Sequence, residues 1–249
     1  MQPSVTPAFI LDLELHWPFA CRLDHCQLAF ARFDSQLLLT EDFAAQGVPP
    51  CKGGQKRQAE FLAGRICAAR ALKGLGMAAT LPGRHPENGL PLWPAGVRGS
   101  ISHSHGMAVA IAGNARQWRS LGLDLEKTMG GQRAQRLRQA ILTPTEQHWL
   151  DDHPADQAGQ RLTLLFAAKE SLFKALNPLC GTYFGFQDAE VVEYDADRLG
   201  LRLLRDLSDE FRSGMLFHAR WAAFGHGMLS LVALPRTDGV PEEPSGLSG

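Results

Sequence analysis

Across residues 55–75 apolar side chains recur at helical spacing (Phe61, Leu62, Ile66, Ala69, Leu72), and Gly74 and Gly76 supply a stop, so the pattern predicts a helix. Downstream the period shortens. Residues 97–112 predict two strands around a turn near His105-Gly106, and residues 120–127 a third, where Leu121, Leu123 and Leu125 alternate with Gly122, Asp124 and Glu126. A helical stretch from Gln132 gives way to Thr143-Pro144-Thr145-Glu146, a capping box with proline at the first helical position. The most apolar helix is predicted over 160–177, ended by Pro178, with strands after it at 189–194, 199–204, 215–224 and 227–234. Residues 1–54 hold only short apolar pieces and read as irregular.

This order predicts an α+β chain of two halves of similar size, residues 1–119 and 120–236, before a Pro/Gly/Ser-rich tail at 237–249 whose composition is that of a disordered segment. With 249 residues, 45% of them hydrophobic, the chain can bury a sizeable core. Its formal charge of −1 gives no global attraction to nucleic acid or an anionic membrane, so any polyanion must be held by a local cluster. Five cysteines without a C-x-x-C pair argue against a disulfide frame or a zinc site and fit a reducing cytoplasm. The N-terminus lacks a basic region ahead of its apolar stretch, which Asp12, Glu14 and His16 interrupt, and no apolar run is long enough to span a bilayer. A soluble, cytoplasmic protein is the expectation.

Four clusters carry candidate chemistry. Asp124 and Glu126, two apart on a strand, project from one face and offer the oxygen ligands that Mg²⁺ prefers; the polar side of an amphipathic strand would look the same. Lys169, Glu170 and Lys174 sit on the apolar helix, where Glu170 and Lys174 are four apart; charges on a largely buried helix need compensation, although a surface ion pair is the simpler account. Arg57 and Arg65 lie about 80° apart around their helix and about 12 Å along it, a spacing suited to separate phosphates or to an exposed basic face. The segment Gly99-Ser100-Ile101-Ser102-His103-Ser104-His105 is dense in short donors that can meet a phosphate, transfer a proton or satisfy a hairpin. No G-x-S-x-G elbow, Walker A loop, G-x-G-x-x-G or H-E-x-x-H motif occurs.

The strings KRQAEFLAGRICAARAL, PLWPAGVRGSISHS, LGLDLE, ILTPTE and FAAKESLFKALNPL, in this order over residues 55 to 180, resemble the phosphopantetheinyl transferase superfamily in its single-chain enterobactin synthase component D and surfactin type. The resemblance implies two halves related by a pseudo-twofold axis, each a small, mostly antiparallel sheet packed with a long helix, with the active site in the cleft between them. It also implies transfer of the 4′-phosphopantetheine arm of coenzyme A to a serine of an apo acyl or peptidyl carrier protein, with Mg²⁺, releasing 3′,5′-ADP. Arg57 and Arg65 would then grip the nucleotide, with Ser102 and His103 near its 3′-phosphate. Asp124 and Glu126 would hold Mg²⁺, Glu170 would complete that site or act as the base, and Lys169 and Lys174 would neutralise the pyrophosphate. Relatives carry a basic residue before the P-x-W segment where this chain reads Asn88-Gly89-Leu90, and Arg84 or Arg98 is the available replacement. Glu146 matches a third acidic position of some relatives, which its capping box already explains.

The motifs read coenzyme A and not the acceptor, so carriers of fatty-acid, polyketide and non-ribosomal-peptide (siderophore) synthesis are all candidates. The same groups with water as nucleophile would make a Mg²⁺-dependent nucleotide phosphohydrolase, and without chemistry a module binding coenzyme A or a carrier. Two halves building one cleft make a monomer the simpler expectation.

Overall fold

The computed structural model describes residues 6–87 and 89–236, so Asn88 and the tail from 237, expected to be disordered, lie outside the described residues. Strands β1 (Ile10–Leu15) and β2 (Cys26–Phe33) lead into the short helix α1 (Thr40–Ala45) and the long helix α2 (Gln55–Gly74). A small ribbon, β3 (Gly83–Arg84) with β4 (Pro91–Leu92), precedes β5 (Val97–Ser104), β6 (Met107–Asn114) and β7 (Trp118–Lys127). Then come α3 (Gly131–Ile141), α4 (Pro144–Asp151), the long helix α5 (Ala158–Cys180), and strands β8 (Ala189–Tyr194), β9 (Arg198–Leu203), β10 (Leu216–Phe224) and β11 (Gly227–Pro235). All strand pairs are antiparallel: one sheet runs β1-β2-β6-β5, the other β7-β11-β10-β9-β8. The fold is thus α+β, and each half sets a long helix on an antiparallel sheet.

Burial explains the pattern. Ala29, Ala31, Ala108, Ala110 and Ala112 face α2, and these small residues let the helix approach β2 and β6 closely. The alternate positions Leu28, Phe30, Val109 and Ile111 point the other way and meet Leu121, Leu123, Leu125, Leu229 and Leu231 of the second sheet in a central core. A third core packs α3 and α5 on β8 to β11. β2 and β6 are therefore buried on both faces, which erases the period-2 alternation by which a strand is read. β1, β2 and α1 correct the expectation of an irregular N-terminus, and for β2 this loss of alternation is the reason.

The hairpin between β5 and β6 turns at His105 and Gly106, with φ of 46° and 76°. Two positive φ values in a two-residue loop match the twist of the flanking strands. Helix α5 overruns the predicted stop at Pro178 by a turn and ends at Gly181, whose φ of 66° is the left-handed cap. Proline close to a helix end removes a single backbone donor, and the apolar face of α5 is already docked by then.

Gly122 lets α5 lie directly on β7: a Cβ there would stand 2.0 Å from the Ser171 carbonyl oxygen and 2.5 Å from the Ala175 nitrogen. Both obstacles are backbone and cannot swing aside. Gly122→Ala is expected to destabilise the fold by about 3 kcal/mol or more, read as a lower midpoint in urea unfolding; a midpoint within experimental error of wild type would refute the close packing.

Candidate active site

The two sheets meet at their edge strands, β5 and β7, through side chains. Ser100, Ser102 and Ser104, spaced by two, point from one face of β5, and their hydroxyls accept the N–H groups of Leu123, Leu125 and Lys127 at 3.0, 3.2 and 3.2 Å. The hydroxyls do for β7 what a neighbouring strand's carbonyls would do.

At the middle rung stands the first group with chemistry. Ser102 Oγ donates to Asp124 Oδ1 at 2.9 Å, and Lys174 Nζ reaches Asp124 Oδ1 at 2.6 Å, Ser102 Oγ at 3.1 Å and the Leu123 carbonyl at 3.2 Å. Ser102 is buried and gives its one proton to Asp124, which it orients. Asp124 Oδ2 is buried with no partner among the described residues. Glu126, on the same face of β7, has its carboxyl pushed up to about 7 by burial and then by Asp124, with Glu170 adding to the effect and Lys174 and Arg133 opposing it. Glu170 is raised as well, by burial and by Asp124, against Lys174. Three carboxyl groups thus share one field, short of positive charge.

No three ligating side chains are drawn together into a ready metal cage among the described residues. An orphaned carboxylate oxygen and two acids pushed up by mutual repulsion nevertheless fit a hard divalent cation, since such a cation would satisfy the one and relieve the others.

The second charged cluster gathers on α2 and β5. The Arg65 guanidinium is buried, stacks on Phe61 with 3.9 Å to the ring centroid, and its Nε has no partner among the described residues. Burial, then Arg84 and Arg57, lower its pKa to about 10, with Cys51 opposing. Arg57 Nη1 lies 2.8 Å from His103 Nε2. The imidazolium of His103 is disfavoured by burial, with Glu60 working against that and Arg57 and Lys174 with it. Arg84 faces Pro91 across the β3–β4 ribbon and lies over Gly89. Arg98 instead spends its guanidinium on the carbonyls of Arg119 and Val97.

Lys169 is held in a network of its own. Its ammonium is buried and its three protons go to the Ile141 carbonyl (2.9 Å), Glu146 Oε2 (2.6 Å) and the Phe186 carbonyl (2.8 Å). With all three donors used it has none for a pyrophosphate, and it ties α5 to the end of α3, the start of α4 and the loop before β8. Glu146 is its counterpart: Oε2 also accepts the Thr143 N–H and Oε1 the Val191 N–H, so its buried carboxylate is structural. This network fixes the rotation of α5 and turns the next residue, Glu170, toward a cavity of about 120 Å³ lined by Phe173, Tyr183, Phe184 and Phe186. Glu60 escaped the sequence reading, which named Arg84 only as a replacement for the missing basic residue. Glu60 is three residues from Arg57 on one helix face, a signal too common to single out, and Arg84 is placed by a two-residue strand with no periodicity.

Residues 48–113 match the 4′-phosphopantetheinyl transferase N-terminal domain and residues 120–223 the 4′-phosphopantetheinyl transferase superfamily. The chain is 36% identical over 223 residues to 4′-phosphopantetheinyl transferase Svp of Streptomyces mobaraensis, covering 86% of this chain and 85% of that protein. It is 35% identical over 182 residues to enterobactin synthase component D of Salmonella typhi, covering 72% and 73%, and 34% identical over 140 residues to 4′-phosphopantetheinyl transferase Npt of Nocardia iowensis, covering 56% and 61%. The chain belongs to the 4′-phosphopantetheinyl transferase superfamily and is a transferase of that activity.

Two outcomes follow from the charges. A carboxyl whose folded pKa exceeds its unfolded value contributes stability that is full below the unfolded pKa and is lost as pH rises through the folded one. With Glu126 moved from 4.5 to about 7, the Tm in EDTA should fall between pH 5 and pH 7.5, and fall less in Glu126→Gln; equal slopes would clear Glu126 of the effect. Lys169→Met leaves the Glu146 carboxylate buried and unpaired, so urea unfolding should show a loss of about 3–5 kcal/mol. A Lys169→Met protein of normal stability but without transfer would return Lys169 to the phosphates.

Proposed function

We propose that the cleft between the halves binds coenzyme A with its 3′-phosphate on the α2 cluster and its pyrophosphate at the carboxylates. There it passes the phosphopantetheine arm to the serine of an acyl or peptidyl carrier protein. One observation carries this reading: at one end the Arg65 guanidinium, its Nε without a partner among the described residues, lies near Arg84, and at the other three carboxyls (Asp124, Glu126, Glu170) share the ammonium of Lys174. A ligand with two separated anionic groups, one of them metal-bound, complements both.

Asp124, Glu126 and Glu170 would hold Mg²⁺, which supplies charge withdrawal from the pyrophosphate oxygens. Lys174, half-buried beside Asp124, donates to the same oxygens as negative charge builds on the departing nucleotide. Glu170, raised toward neutrality, accepts the proton of the carrier serine. The serine oxygen then forms its bond to the pantetheine-bearing phosphorus as the bond to the bridging oxygen breaks, and 3′,5′-ADP departs. The apolar cavity beside Glu170 would take the pantetheine arm. Arg84, and not the carbonyl-bound Arg98, would replace the basic residue that relatives carry before the P-x-W segment. Both charged ends belong to one chain, so a single chain suffices, and no helix among the described residues is long and apolar enough to cross a membrane.

Intact-mass spectrometry of apo carrier proteins incubated with the chain, coenzyme A and Mg²⁺ tests the proposal. A gain of one phosphopantetheine arm, absent with EDTA, is expected, with Asp124→Asn and Glu170→Gln each slowing it by about 10³-fold or more while their Tm stays near wild type. Release of 3′,5′-ADP with no carrier modified would favour hydrolysis by the same groups, and binding with neither product would leave a binding module.

A further inference from the structure

A carboxylate beside an anion site weakens the site unless it works through a cation. Glu60 is such a group. Its side chain is only 14% exposed, and Oε2 lies 3.7 Å from His103 Nδ1 and 4.0 Å from Arg57 Nη1, within the cluster assigned above to a phosphate. On the far side of the ring, Arg57 Nη1 stands 2.8 Å from Nε2. A guanidinium has donors only, so Nε2 accepts, and the ring is neutral with its proton on Nδ1, facing Glu60. In the free protein, then, Arg57 occupies the nitrogen that a phosphate would need.

We infer that Glu60 is a positioning residue that enables His103 to take up a proton when a phosphate arrives, so that binding of the nucleotide is linked to protonation; this rests on the reading of the cluster given above. The steps balance without any covalent change. Arg57 moves its N–H from Nε2 to a phosphate oxygen, the freed lone pair takes one proton from solvent, and Nε2–H donates to the phosphate. Nδ1–H stays directed at Glu60, whose negative charge offsets the imidazolium. The charged groups around His103 are Glu60 and Arg57 from α2, Lys174 from α5 and Asp124 from β7. Arg57 and Lys174 oppose a charged ring, and Asp124 is already paired with Lys174 and Ser102, which leaves Glu60 as the uncommitted carboxylate. Neutral at rest and charged when occupied, the ring adds a fourth cationic donor, after Arg57, Arg65 and Arg84, without the cost of keeping another buried cation in the empty site.

Calorimetric titration of the full chain with 3′,5′-ADP, metal-free at pH 8 in buffers of different ionisation enthalpy, counts the protons exchanged. The phosphates of the ligand, with second pKa values of about 6, are already fully ionised at that pH. Wild type should take up close to one proton per site and His103→Asn none. Glu60→Gln should take up about half as much or less and bind about fivefold more weakly at pH 8, with the gap to wild type narrower at pH 6, where protons are more available to the ring. If Glu60 merely repels the anion, Glu60→Gln will bind more tightly at both pH values, and that result overturns the inference, as does proton uptake unchanged by the substitution. Carrier loading by the wild-type chain is read separately: loading intact with no proton linkage defeats this inference alone, whereas absent loading defeats the proposed function.

Discussion

The joining of two sheet edges without a shared backbone ladder is the constraint on which the site depends. β5 and β7 would each expose a row of unpaired N–H and C=O groups, the usual liability of an edge strand. The hydroxyls of Ser100, Ser102 and Ser104 meet the β7 N–H groups, and behind them the leucines of β7 and β11 close on Leu28, Phe30, Val109 and Ile111. A hydroxyl, unlike a carbonyl, also has a proton to give. At the middle rung that proton goes to Asp124, so one contact holds the halves together and aims the carboxylate.

Charge is distributed about this seam in two ways. Buried groups that hold the frame are fully paired: Lys169 gives all three protons, and both oxygens of Glu146 are occupied. Groups facing the cleft are incompletely paired, as in the orphaned oxygen of Asp124, the lone Nε of Arg65 and the displaced carboxyl of Glu126. Adjacent in sequence, Lys169 and Glu170 fall on opposite sides of this division, because a step of 100° along the helix brings the ammonium of one to Glu146 and sets the carboxyl of the other in the field of Asp124.

Much of this was legible in the chain. The alternation in 120–127 correctly put Asp124 and Glu126 on one face and the leucines on the other, and the Thr143 capping box formed as read. Strand β2 was hidden because burial on both faces leaves it without a polar phase. The direction of Lys169 was not legible, because a charged residue in a motif carries no mark of the way it faces: only the carbonyls of Ile141 and Phe186, distant in sequence, reveal it. The partners of Ser102 were hidden for a related reason, since a hydroxyl suited to a phosphate is equally suited to a backbone N–H, and the strand that supplies one lies across the seam.

The central core has the character of a subunit interface, yet only residues 115–117 link β6 to β7 across it. A tether that short makes docking of the halves an intramolecular event, with an effective concentration on the order of millimolar. Dilution therefore cannot separate the guanidiniums on one half from the carboxylates on the other. The spacing between the two ends of the cleft is set by covalent connectivity, and the chain needs no partner subunit's mass action to keep it.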